Sequence, residues 1–423
     1  MRKLEMLVIA FLLILTSGCS LDTEKGQEEA DIVLTVLAGQ STSDAGVEDM
    51  IDEWVKKEYP HVTLDWECVD WGERFNSQMQ GRLAAGDIPD IIIGKAQDVK
   101  TYAQTGQLAE VSPQCKDLVK EDALETVTVD QKVYGIPYNA WYQGVIYNKD
   151  IFAGLGLEPP KTVRELDEVI AVLQQNGIVP FAAHFQESWK VANMTMQYML
   201  NDIFDENTDW GRQFRAGNVN YSGNEEIISC MLNNKKILDA SWKDAMQIDQ
   251  FESDSRFTQG EAAMYLTGSW SMQFANQYGK DVNFGIFPFP NQKGDAKLIK
   301  ETNMTFMKSV STQHSELIDS LFLSMLQDKT LAREILDFTQ SASAVKGLEP
   351  GYRSKIQDDI DSYESSGEMI DASVGNVQLV WDFQDDAARE QLSWLKNEES
   401  MEEVLAYADA NRIQSSYSEM EEK

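Results

Sequence analysis

An α/β fold is predicted by three features of the chain: short stretches of period-two apolar residues, helical apolar stripes between them, and one wholly apolar segment of the kind buried inside a parallel sheet. The first stretch is Asp31 to Leu37, alternating around Ile32, Leu34 and Val36. A helical stripe follows in Val47, Met50, Ile51, Trp54 and Val55, with Ser43 or Asp44 as candidate cap and Pro60 as its stop. Val62, Leu64 and Trp66 alternate as a second strand, and Phe75, Met79 and Leu83 form a second stripe. Ile91 to Ile93 is the apolar third strand. Beyond it, Val133–Pro137 and Gly144–Asn148 read as extended. Thr162 and Glu165 make a capping box, since each side chain can satisfy a free amide of the first helical turn. The helix behind it carries Val163, Leu166, Val169, Ile170 and Leu173 and stops at Gly177. Another capped helix is expected near Ser315, with Ile318, Leu321, Phe322, Met325 and Leu326 on its buried face.

Bulk composition narrows the function. At 423 residues the chain has room for two or three compact units, and its 43% hydrophobic content supports real cores. The net charge of −34 is spread along the sequence and argues against nucleic acid or anionic headgroups as partners. His61, His184 and His314 are scattered, and Cys68, Cys115 and Cys230 form no CxxC pair, so no metal or other cofactor is expected. A Cys68–Cys115 bond is open to an exported chain, but buried free thiols are the preferred reading. No nucleophile elbow, HExxH or P-loop is present in the sequence.

The N-terminus has the form of an export signal over residues 1–18. Arg2 and Lys3 precede the apolar run Met6–Leu15, which is too short to span a bilayer. Thr16, Ser17 and Gly18 are small and lead to Cys19. This resembles the lipobox of bacterial lipoproteins, with Thr16 where that pattern prefers Leu. The resemblance implies a diacylglyceryl group on Cys19, a tether over 19–30, and a protein held on the outer face of the cell membrane, as in a Gram-positive bacterium.

Several blocks, taken in order, resemble the extracellular solute-binding proteins of ABC importers, in the sugar-binding, maltose-binding-protein-like group. They are Gly86-Asp87-Ile88-Pro89-Asp90-Ile91, Tyr102 to Glu110, Tyr134-Gly135-Ile136-Pro137, Ile146 to Asp150, Pro159 to Thr162, Gly260 to Met264, Gly268-Ser269-Trp270 and Phe284 to Pro288. No block is specific alone; their order over nearly the whole mature chain is. The resemblance implies a two-lobed periplasmic-binding-protein-like fold with hinge crossovers, each lobe a mainly parallel sheet flanked by helices. Lobe one would comprise 31–138 and 290–337, and lobe two 141–284 and 340–423, with the return crossover at Phe284–Pro288. It further implies a monomer that captures a sugar or oligosaccharide between its lobes, closes on it, delivers it to the transmembrane permease subunits, and catalyses nothing.

A sugar offers C–H faces that pack on aromatic rings and hydroxyls that need paired donors and acceptors. Trp270 matches a stacking position of the group, and its ring is expected to be partly exposed. Trp189 and Trp381 fall near two further aromatic positions. Tyr138, Asn139 and Trp141 follow the first crossover, at the mouth of the hinge. Ser41 and Asp44 follow the first strand, and Asp70 and Trp71 the second, at the carboxyl edge where α/β sheets place ligands. Gly94 and Gln97 stand where the group's pattern has Trp and Asp, so the resemblance does not extend to maltose itself. Rival readings are a surface glycoside hydrolase, which would need two flanking carboxylates, a binder of peptide or polyamine, and a receptor that only senses sugar.

Overall fold

The computed structural model describes residues 31–40, 45–71, 73–277, 281–375 and 379–415. Cys19 with the leader and tether, and Ser41 and Asp44, lie outside the described residues.

The described strands assemble into one large sheet per lobe, with Thr128–Val129 and Lys132–Val133 pairing apart as a two-stranded ribbon. The lobe-one sheet has the order Val62–Asp70, Ile32–Gln40, Ile91–Gly94, Thr305–Lys308, Ile136–Pro137. Its first three strands are parallel, as the β-α-β-α-β reading requires, and the last two pairings are antiparallel. Ile91–Gly94 is buried throughout, which explains why it shows no alternation. Asp90, just before it, ties the sheet together. Its carboxylate accepts from the Thr35 amide at 2.9 Å, the Thr35 hydroxyl at 2.8 Å and the Thr312 hydroxyl at 2.6 Å.

The helix Val47–Glu58 buries Val47, Ile51, Trp54 and Val55 as its stripe predicts. The candidate caps Ser43 and Asp44 lie outside the described residues. Gly46 holds the cap position at φ 107, a left-handed conformation that glycine adopts without penalty, and Glu48 accepts from the Gly46 amide at 3.0 Å. The Thr162–Glu165 capping box forms with both of its bonds, and the helix Val163–Gln175 buries the five predicted residues. The helix Ser315–Gln327 also buries its predicted stripe, though His314 precedes it without a side-chain cap.

Lobe two departs from expectation. The strand Asn139–Asn148 is buried over all ten residues and is the spine of the second sheet. Ala262–Gly268, Phe284–Phe287, Leu298–Thr302 and Ala342–Ser343 all pair with it antiparallel. Among the described residues only Val179–Ala182 with Ala262–Gly268, and Met369–Asp371 with Leu298–Thr302, are parallel pairs in this sheet. The sheet is therefore mixed rather than mainly parallel.

The same spine moves the second crossover. Phe284–Phe287 stays in lobe two, with Phe284 opposite Asn148 and Phe287 opposite Val145. The chain returns to lobe one only after Leu298–Thr302, through Asn303 and Met304, so the segment from 290 to 302 belongs with lobe two. Three chain passages lie side by side at the hinge. Tyr138 donates its amide to Met304 O at 2.8 Å, Asn303 donates to Asn139 O at 3.0 Å, and Ala344 donates to Tyr138 O at 3.0 Å.

Lobe one encloses one apolar core, and lobe two has a second, smaller cluster around Ile146, Phe257, Tyr265 and Phe284 beside its main one. The lobe-one core is built on Leu34, Ile92, Phe306 and Phe322, the main lobe-two core on Val145, Phe181, Phe204 and Phe383. Cys68, Cys115 and Cys230 are free thiols; Cys115 and Cys230 are buried and Cys68 is exposed.

Candidate functional site in the cleft between the lobes

The cleft opens at the carboxyl ends of the lobe-one strands. Its floor is the face of Asn139–Asn148 that carries Trp141 and Gln143. A small cavity of ≈ 30 Å³ lies there. Lys95 and Gln97 line it from lobe one, and Gln143, Asn193, Gln197, Glu301, Trp381 and Gln384 from lobe two. The polar groups form one hydrogen-bonded chain. Lys95 Nζ pairs with Glu301 Oε1 at 3.1 Å, and Gln143 Nε2 donates to Glu301 Oε2. Asn193 Nδ2 donates to Gln143 Oε1 at 2.9 Å, and Gln197 Nε2 donates to Asn193 Oδ1 at 2.9 Å. Gln197 Oε1 and Gln384 Oε1 are buried with no donor among the described residues. Such acceptors suit a ligand rich in hydroxyls, because a buried acceptor left unmatched costs about 1–3 kcal/mol.

Aromatic rings flank this chain from both lobes. Trp71 lies flat over Gly39, where an added Cβ would meet its ring carbon Cζ3 at 2.1 Å. Trp270 lies over Gly268 in the same way, at 2.0 Å. In each case only a glycine lets the indole settle against the end of its strand. Trp270 also meets Trp141 edge-on, with centroids 5.5 Å apart, and Trp141 Nε1 has no hydrogen-bond partner among the described residues. Trp141 and Gln143, two positions apart on one strand, share the face that lines the cavity. Trp381 opens the helix Trp381–Leu395 and stands on the cavity wall one turn before Gln384. Trp189 sits at the start of the helix Ser188–Met199, four residues before Asn193 and eight before Gln197, so the three share a face.

Electrostatics are concentrated in two places. Beside the cavity, burial pushes the Asp98 carboxyl up to about 7 against the pull of Lys95. Behind Trp189 and Trp270 lies a buried polar knot. Lys190 follows Trp189; its ammonium sits over the Tyr265 ring at 4.8 Å and donates to Leu266 O. Ser271 follows Trp270; its hydroxyl donates to Asp254 Oδ1 at 2.9 Å. Burial lowers Lys190 to about 7 and raises Asp254 to about 6. His184, fully buried and packed 5.2 Å from the Trp189 ring, is lowered to about 4 by the same cause. The knot fixes the two aromatic segments relative to each other.

The predicted site residues are thus sorted. Gln97 and Trp381 line the cavity. Trp71 shares the Lys95 ammonium with Trp381, Trp141 and Trp270 meet each other, and Trp189 packs on His184, but none of these four lines it. Trp270 is only 8% exposed, less than a partly open cleft ring should be. Asp70 ends its strand on the exposed lobe-one edge. Tyr138 and Asn139 serve the hinge. Tyr138 is buried against Phe306 at 5.7 Å, and Asn139 bonds Met304 N at 3.0 Å and Ser341 Oγ at 3.1 Å. Lys95, Glu301, Gln143, Asn193 and Gln384 were not foreseen. Lys95 alone carried a signal, since it directly follows the third strand at the sheet's carboxyl edge.

The sequence matches the family described as bacterial extracellular solute-binding protein over residues 38–346. The chain belongs to that family. The solute-binding protein is 22% identical over 369 residues to the multiple sugar-binding protein of Streptococcus mutans, covering 84% of this chain and 86% of that one. Its fold is similar to that of a chitin oligosaccharide binding protein, with a TM-score of 0.75 at 18% identity, over 91% of this chain and 99% of the other. It is likewise similar to a sugar transporter protein of Bacillus licheniformis in complex with stachyose, with a TM-score of 0.76 at 16% identity, covering 91% and 100%. Membership makes this solute-binding protein a capture protein and not an enzyme, so the glycoside hydrolase reading falls away.

Proposed function

We propose that the protein captures a sugar or oligosaccharide between its lobes and delivers it to the permease subunits of an ABC importer. The observation that carries this reading is the wall of the cleft: a continuous amide and carboxylate chain from Lys95 to Gln197, flanked by indoles from both lobes. Amides pair with hydroxyls of either polarity and indoles accept C–H faces, which is the chemistry of a neutral polyol ring. Relatives named for sugar binding, and a similar fold holding stachyose, support the same class. Trp71, Gln97, Trp189, Trp270 and Trp381 are the solute contacts in this reading, with Ser41, Asp44 and Asp70 on the lobe-one rim. The protein acts as a monomer, with 31–138 and about 304–338 as lobe one and the remainder of the mature chain as lobe two, and is lipid-anchored through Cys19.

Closure follows from the division of contacts. A solute touching indoles of both lobes binds the shut cleft better than the open one, and that difference shifts the population. The experiment is calorimetric titration against a panel of neutral oligosaccharides including stachyose, with a polyamine and a short peptide beside them. Micromolar or tighter binding of one sugar is expected. Binding of the polyamine or peptide alone would refute the reading. Two permease genes beside this one would support import over sensing.

A further inference from the structure

The cavity already contains a charged group of the protein's own. Lys95 Nζ stands 5.4 Å from the centroid of the Trp71 ring and 5.6 Å from that of the Trp381 ring. The two indoles come from opposite lobes, so one ammonium covers an aromatic face of each. The same ammonium pairs with Glu301 Oε1 at 3.1 Å, linking the end of a lobe-one strand to the lobe-two sheet. We propose that Lys95 is a built-in competitor of the solute, which latches the cleft through Trp71, Trp381 and Glu301 and must be displaced before a sugar can stack there. This rests on the sugar-binding reading above.

Geometry makes the competition direct. A ring stacked on an indole sits in van der Waals contact, at about 4 Å. That space lies within the distance the ammonium keeps from both rings. The Lys95 stem is four flexible methylenes, so its head can swing aside without backbone movement. Glu301 stays in place when it does, because its other oxygen accepts from Gln143. Displacement therefore frees Glu301 Oε1 to accept a solute hydroxyl. The latch has strength because it is shielded: the Glu301 side chain is 6% exposed and the Lys95 side chain 22%.

Two variants test the proposal in the full mature protein. Lys95→Met keeps length and apolar stem and removes the charge. Glu301→Gln removes the other half of the pair. Small-angle scattering without sugar needs no ligand: both variants are expected to show a larger radius of gyration than wild type. Equal radii overturn the proposal. Titration with stachyose then separates the roles. Lys95→Met is expected to bind about tenfold tighter, the competitor being gone. Glu301→Gln is expected to bind more weakly, having lost the acceptor. Weaker binding by Lys95→Met overturns the proposal, because it makes the ammonium a solute ligand. A wild type that binds no sugar of the panel removes the proposed function instead, and sugar-free scattering of the two variants then decides the latch alone.

Discussion

Gly268→Ala isolates the role of Trp270 with the smallest possible perturbation. Gly268 has φ −118 and ψ 169, an extended conformation open to alanine, so the backbone is unstrained. The whole effect falls on the indole. The new Cβ would stand 2.0 Å from Trp270 Cζ3 and 2.3 Å from its two neighbours. Carbon atoms in contact sit at about 3.5–4.0 Å, so the ring must retreat by about 1.5–2 Å. Forcing a buried ring out of its place costs about 1–3 kcal/mol of stability. A stacking surface displaced that far forfeits about 1–2 kcal/mol with the solute, a rise in Kd of about 5–30-fold. Trp270→Ala, by contrast, empties a nearly closed site and should cost about 3–5 kcal/mol of stability, contrary to what a partly exposed cleft ring would suggest. A double-mutant cycle ties the two together. In the Trp270→Ala background, Gly268→Ala has no ring to displace, and its cost in both calorimetric titration and urea denaturation should fall close to zero. A Gly268→Ala protein that binds its sugar with wild-type affinity, or the same penalty in both backgrounds, refutes the reasoning.

Other predictions follow from the same structure. His184 is held neutral by burial, with its pKa near 4 against an ordinary value of 6.5. Protonation below pH 6.5 therefore favours the unfolded chain, and stability complete above that pH is lost as the pH falls towards 4, by about 3 kcal/mol in all. Urea denaturation of wild type and His184→Asn at pH 7 and pH 4.5 should show the gap between them narrowing in acid; a constant gap would contradict it. Asp90→Ala removes the acceptor shared by Thr35 and Thr312 and should lower stability by about 2–3 kcal/mol in denaturant titration. An undisturbed midpoint would show the carboxylate to be dispensable. Cys19→Ser should release the mature protein into the medium or leave it unprocessed, read by membrane fractionation, and a cleaved Ser variant still held on the membrane would argue against lipidation. Addition of the cognate sugar should reduce the radius of gyration of Lys95→Met, whose cleft is unlatched, since the solute favours the shut cleft.

Local chemistry and its period determined much of this protein from sequence alone. The capping box at Thr162–Glu165 and the stripes on Val163–Gln175 and Ser315–Gln327 form as read, because caps and helical stripes involve residues within one or two turns. The parallel opening of lobe one was legible for the same reason: each strand and helix advertises its own burial. Tertiary structure decided where the chain crosses back. Phe284–Phe287 and Leu298–Thr302 are both extended, and only pairing against Asn139–Asn148 keeps them in lobe two. It also decided the cleft. The indoles were recognisable as a class, but the side chains they flank come from segments as far apart as Lys95, Gln143 and Glu301. A lone Lys, Gln or Glu reads as a solvated surface residue in any sequence. Each becomes part of a binding site only when the fold carries it out of water and against partners more than a hundred residues away, and no local pattern encodes that distance.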